Sequence, residues 1–177
     1  KASGVISGRV LDTRRQAIPG AYIKPVSLHG RSIGLATQQA RAVTSGTDGV
    51  FEMGPQPNGE YVLEASMEGY APALSVPVEP GESVDFVLTA GATLHGHVLE
   101  EHSGRPVPHL PLQLYRSDQS ALPQNVSTNT TGGFQFTQLA PGEYVLYCTD
   151  GMLRLVEGFV AATVPEKGIP EALSLRV

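Results

Sequence analysis

The stretch Phe51-Glu52-Met53-Gly54-Pro55-Gln56-Pro57-Asn58-Gly59-Glu60-Tyr61-Val62-Leu63 occurs twice in this chain. Its second copy is Phe134-Gln135-Phe136-Thr137-Gln138-Leu139-Ala140-Pro141-Gly142-Glu143-Tyr144-Val145-Leu146, 83 positions later. In each copy apolar residues alternate with polar ones on either side of a glycine. Alternation with period two marks half-buried strands, and the glycine marks a tight turn between them. Each copy reads strand, turn, strand, so the chain is one small β module written twice.

The chain of 177 residues then divides into residues 1–90 and residues 91–177. Modules of about 90 residues can bury a core without metal or disulfide. A content of 20 Gly and 14 Pro suits short strands joined by turns. Working outward, residues 5–11 form an opening strand with Ile6, Gly8 and Val10 on one side. Its counterpart is Leu94-His95-Gly96-His97-Val98-Leu99. A second strand over 22–27 contains Pro25, which lacks a ladder donor, so it is an edge strand or bulged. Residues 28–40 read as the longest irregular stretch, with room for one helical turn. Thr47-Asp48-Gly49 reads as a type I′ hairpin turn. Phe51, Met53, Tyr61, Leu63 and Ala65 face the core, a short strand follows over 75–78, and residues 84–88 close the module. After a linker at 89–92, the second copy has strands over 112–116, 153–164 (broken) and 172–177.

Gly8-x-Val10, Ile18-Pro19-Gly20-Ala21, Thr47-Asp48-x-x-Phe51, Gly59-x-Tyr61-x-Leu63 and Glu68-Gly69-Tyr70 resemble the carboxypeptidase regulatory-like domain, a transthyretin-like β-sandwich. The second copy keeps Gly96-x-Val98, Val107-Pro108 and Pro141-Gly142-x-Tyr144-x-Leu146, with Thr131 in place of Asp48 and Asp150-Gly151-Met152 in place of the Gly-Tyr turn. It resembles a divergent member. The resemblance implies an all-β fold of two tandem antiparallel, seven-stranded, Ig-like or transthyretin-like sandwiches. It also implies an exported, non-enzymatic scaffold or binding module, of the periplasm, outer membrane or cell surface.

Charge excludes other classes. The net charge is −5, with nine Arg, three Lys and no basic run, so no nucleic-acid footprint exists. No run of 18 apolar residues spans a membrane, and no signal-peptide pattern stands at Lys1-Ala2-Ser3-Gly4. The lone Cys148 excludes an internal disulfide and falls on the core side as a small apolar residue.

Each candidate for chemistry has a plainer reading. Gly30-Arg31-Ser32-Ile33-Gly34 fits the nucleophile-elbow pattern, which needs a parallel sheet that this chain cannot build. His97-Val98-Leu99-Glu100 fits half of a zinc site, yet positions i and i+3 of a strand face opposite ways. His95 and His97 do share an outward face, where solvated side chains matching Ser7 and Arg9 are expected rather than a metal site. Asp12, Asp48 and Asp118 read as turn residues. Asn125-Val126-Ser127 and Asn129-Thr130-Thr131 are glycosylation sequons. Tyr70, at a turn, and Tyr147, on an outward face, are the tyrosines free of the core.

The expectation is a module without catalytic residue, cofactor or metal, presenting loops and a sheet edge to another protein of the cell envelope or surface. Its expected contact residues are Arg31, Arg41, Tyr70, His95, His97 and Tyr147. Carbohydrate is the alternative ligand class, resting on Tyr70 and Tyr147.

Overall fold

The computed structural model describes residues 3–177, which fall into two compact units dividing between Ala90 and Gly91. Each is a β-sandwich with its own apolar core. In the first unit, β1 (Ser3–Asp12), β5 (Val50–Pro57) and β8 (Phe86–Leu88) form one sheet in the order β5-β1-β8. The facing sheet contains β2 (Tyr22–Leu28), β3 (Arg31–Ser32), β4 (Val43–Thr44), β6 (Tyr61–Ser66) and β7 (Ala73–Leu74). β6 pairs with one edge of β2, while β3 and β4 occupy the two ends of its other edge. The helix α1 (Leu35–Arg41) connects β3 to β4.

The second unit repeats the plan. Strands β9 (Ala92–Leu99), β12 (Gly133–Leu139) and β15 (Leu173–Arg176) form the sheet β12-β9-β15. Strands β10 (Pro111–Arg116), β11 (Gln124–Ser127), β13 (Gly142–Cys148) and β14 (Phe159–Val164) form the sheet β11-β10-β13-β14. The all-β sandwich architecture is as the sequence predicts. One feature departs from purely antiparallel pairing: β8 runs parallel to β1, and β15 parallel to β9.

The reason for Gly8 and Gly96 lies at this parallel seam. A Cβ on Gly8 would stand 1.8 Å from the Val84 carbonyl oxygen and 2.9 Å from the Phe51 ring. On Gly96 it would stand 2.3 Å from the Leu173 oxygen and 2.6 Å from the Phe134 ring. In the first unit the segment entering β8, in the second β15 itself, and in both an aromatic ring occupy the space that a side chain would take. Phe51 and Phe134 are thereby buried opposite the opening strand, which pairs with theirs as Gly8↔Phe51 and Gly96↔Phe134.

Two polar devices recur with the repeat. The buried Ser45 hydroxyl donates to the Ile18 carbonyl (2.7 Å) and accepts from the Ala21 amide (2.9 Å). Thr128 does the same for the Val107 carbonyl (2.6 Å) and the Leu110 amide (2.8 Å). Each hydroxyl closes a loop whose backbone groups would otherwise be buried unpaired. The Tyr61 hydroxyl donates to the Pro57 carbonyl at 3.0 Å, and that of Tyr144 to the Ala140 carbonyl at 2.8 Å. Burial pushes the Tyr144 phenol above its ordinary pKa.

Several local expectations are corrected. Gly49 alone has positive φ (76°) in the turn after β4, and its amide donates to Gly46, so this is not the type I′ turn that the Asp-Gly pair suggests. Positive φ at two successive residues occurs instead at His29 (50°) and Gly30 (72°), between β2 and β3. In the second unit Asn129 takes over the work of Asp48, its Oδ1 accepting the amides of Thr131 and Gly133. The strand expected over 75–78 is Ala73–Leu74. Pro77 offers no amide, the Ser75 hydroxyl accepts the Leu63 amide, and Val78 makes only an isolated bridge to Tyr61. The expected strand over 153–164 shortens to Phe159–Val164 because Leu155 turns into the core. Pro25 does mark a bulge, between Pro25 and Ser27 opposite β6.

Two stability predictions follow from this packing. Gly8→Ala forces a Cβ against backbone, and should destabilise the protein by about 3 kcal/mol or more. Thr128→Val keeps the shape but leaves the Val107 carbonyl and Leu110 amide unpaired, and should cost about 1–3 kcal/mol. Both are read from urea midpoints; a shift within error for either variant contradicts the packing described.

Candidate functional site

The irregular stretch after β2 is more ordered than its sequence suggests. Leu28 and Ser27 pair with Arg31 and Ser32 across the His29-Gly30 turn. The Ile33 amide then returns to the Val26 carbonyl. α1 starts at Gly34, which is extended and offers no side-chain cap. None of its residues is buried, and Leu35 is 71% exposed. The helix is held by its flanks instead. The Gln38 amide donates to the Ile33 carbonyl at 2.6 Å. Arg41 Nη1 donates to Gln56 Oε1 at 3.1 Å and to the Tyr61 hydroxyl at 3.4 Å. Gln56 is itself buried on β5 and donates to the Gly54 carbonyl.

The two arginines expected to make contacts are therefore unlike. Arg31 is exposed on β3, whereas Arg41 is half-buried and engaged at the end of the core. Ser32 lies in a two-residue antiparallel strand. The Gly-x-Ser-x-Gly pattern thus has no parallel sheet beneath it, and the elbow geometry does not form.

Tyr70 is not free. It is half-buried against the first core and forms an isolated bridge to Ala90. The turn is tight enough that its amide donates back to the Met67 carbonyl, which folds the ring inward. His95 and His97 are exposed on one face of β9, paired with Gln135 and Gly133 respectively. They line a shallow open depression with Ser127 and Asn129. Glu100 lies beyond the strand and accepts the Ser103 hydroxyl. Among the described residues no three His, Cys, Asp or Glu side chains come together as a metal-binding group.

Asp12, Asp48 and Asp118 all cap turns. The hydroxyl and amide of Ser120 hold the Asp118 carboxyl below its ordinary pKa, aided by the Arg116 guanidinium. At the divergent turn after β13, the Leu153 and Met152 amides both donate to Asp150 Oδ1 at 2.7 Å and hold its carboxyl low in the same way. Met152 is left 96% exposed there. Cys148 is half-buried against the second core, its thiol donating to the Leu153 carbonyl.

Tyr147 does face outward, and it has company. It lies 5.8 Å from Tyr115 in an edge-on arrangement and 6.0 Å from Phe159. In the same row across the sheet, Tyr147 pairs with Gln113, and Gln113 with Asn125. Tyr115, Phe159, Gln113 and Asn125 were not legible as a group because cross-strand partners depend on register. The signal available was the i, i+2 spacing of Gln113 and Tyr115 within one strand.

Comparison with known proteins agrees with the two-module organisation. Residues 5–90 match the carboxypeptidase regulatory-like domain. Residues 89–174 match the second β-sandwich domain described as BOS complex subunit NOMO1-like. No curated protein matches the chain. Among solved structures it is similar to the Bacillus anthracis TIE protein, at 19% identity and TM-score 0.42, covering all of this chain and 34% of that one. It is also similar to a Streptococcal ancillary pilin, at 15% identity and TM-score 0.42, covering 99% and 62%. A third is GBS52, the minor pilin of Streptococcus agalactiae, at 14% identity and TM-score 0.43, covering 98% and 96%. The chain thus spans less than two thirds of the first two. Likenesses at this level bear on neither function nor partner. The chain thus carries, over residues 5–90, a match to the carboxypeptidase regulatory-like domain, with a second β-sandwich matching a different family in tandem behind it.

Proposed function

We propose that this protein is a non-catalytic interaction module of an exported or cell-surface protein, and that its first unit presents the segment 28–42 to a protein partner. The observation that carries this reading is α1, a helix that buries none of its residues. A seven-residue helix is not stable alone, and helices usually gain stability from packing an apolar face. Here the core is complete without it, and Arg41 and Gln38 hold it in place. A segment ordered in this way presents a preformed surface, which lowers the entropy lost on binding. The surface carries an exposed cation, Arg31, and an exposed aliphatic side chain, Leu35. Arg41 is a positioning residue rather than a contact. Export is supported by the match of the first unit to the carboxypeptidase regulatory-like domain.

The test is a pull-down from the host's envelope fraction with wild type and with the double variant Arg31→Glu/Leu35→Asp. Both substitutions are at exposed positions, so the thermal midpoint should stay within a few degrees of wild type. A protein captured by the wild type and lost from the folded double variant is the expected result. Equal recovery by both forms, or no specific capture by either, overturns the reading.

A further inference from the structure

We propose that the outer face of the sheet β11-β10-β13-β14 is a binding platform for a neutral polysaccharide. This goes beyond the protein-contact reading of the first unit and does not depend on it. One row crosses all four strands: Asn125, Gln113, Tyr147 and Phe159, in register as cross-strand partners. Tyr115 stands two residues along β10 from Gln113, with its ring edge-on to that of Tyr147. Three aromatic side chains, exposed by 40% (Tyr115), 40% (Tyr147) and 53% (Phe159), therefore form a continuous strip. Exposed apolar area of this kind is unusual on a face that serves only solvent.

The polar half of the row is organised rather than merely solvated. Gln113 Nε2 donates to Asn125 Oδ1 at 2.9 Å, and the Tyr115 hydroxyl donates to Gln113 Oε1. This chain fixes the rotamers of all three side chains. The donor and acceptor capacity that these two bonds do not use, on the Asn125 and Gln113 amides and the Tyr115 hydroxyl, is what a ligand would engage. Beside them, Val145 and Ala161 are the small outward residues next in register, pairing with one another and leaving the rings accessible.

Charge selects the occupant. The chain carries a net charge of −5, yet the row and the residues beside it are neutral. Among the described residues paired along this face in β10, β13 and β14, the ionised one is Glu143, at the far end of β13, where it accepts the Thr163 hydroxyl with both oxygens. Among the described residues of the row, a polyanion finds no cation and a polycation no anion. The matching ligand is uncharged, with apolar faces for the aromatic rings and a periphery of donors and acceptors for the amides. A pyranose ring has that form: C–H groups on its faces and hydroxyls around its rim. Four strands about 4.8 Å apart give a row roughly 14 Å long, the length of a short oligosaccharide. The residues lie on paired strands, so the platform needs no rearrangement to bind.

The test is affinity electrophoresis of the whole chain through gels containing neutral β-glucan, α-glucan, xylan or mannan, with polygalacturonate as the acidic control. Retardation by at least one neutral polymer and none by polygalacturonate is expected. Tyr147→Ala should weaken the apparent affinity at least tenfold, Gln113→Ala should weaken it several-fold, and Tyr147→Phe should retain most of it. Thermal midpoints of all variants establish that the sandwich is folded, and Tyr147→Phe guards against loss through misfolding of the alanine variant. No retardation by any neutral polymer overturns the proposal. So does retardation unchanged in Tyr147→Ala, or a concentration-dependent dimer in sedimentation that Tyr147→Ala abolishes, since the face would then be covered by a second copy.

Discussion

Each sandwich depends on an aromatic ring lying over a glycine in its opening strand. Phe51 packs over Gly8, Phe134 over Gly96, and the closing strand of the unit, or the residues leading into it, pass across the same glycine. Three segments distant in sequence meet where only a hydrogen atom fits. This explains why the closing strand pairs in parallel with the opening one: it crosses from the facing sheet and docks beside the glycine. The remaining repeated features serve this junction. Ser45 and Thr128 close the loops entering the second strand, and Tyr61 and Tyr144 tie the turn after the aromatic strand to the core.

Once the repeated residues are assigned to the cores, the differences between copies define what is left for function. The first unit has β3, α1 and β4 along the edge of β2, where the second has the single strand β11 along β10. The first therefore exposes a helix, and the second exposes a continuous four-stranded face bearing an aromatic strip. The histidine pair is a third difference, exposed on one face of β9.

The sequence was most informative where one physical rule governs one residue. Period-two alternation placed Phe51, Met53, Tyr61 and Leu63 in the core, and the missing amide of Pro25 located a bulge. It was least informative where the outcome depends on partners far along the chain. Asp48-Gly49 suggests a type I′ turn, yet the geometry there is set by the Gly46 and Val50 pairing, and positive φ at successive residues falls on His29-Gly30. Tyr70 looks free as a turn residue but is drawn against the core. Arg41 looks like a free cation until Gln56 and Tyr61 are brought beneath it. Of the aromatic strip only Tyr147 was legible, because alternation identifies an outward face but does not say which residues of neighbouring strands share it.

The central claim is that the repeated residues build the cores while the segment 34–42 lies outside them. Native-state hydrogen exchange measures this directly. The amides of Val10 and Val98, which donate to the Gly49 and Gly132 carbonyls beside the two ring-over-glycine junctions, should be among the slowest to exchange. Those of α1 should exchange by local opening, orders of magnitude faster and with little dependence on denaturant. Protection of the α1 amides equal to that of Val10 would contradict the account, because the helix would then be part of the cooperative core rather than a surface carried by it.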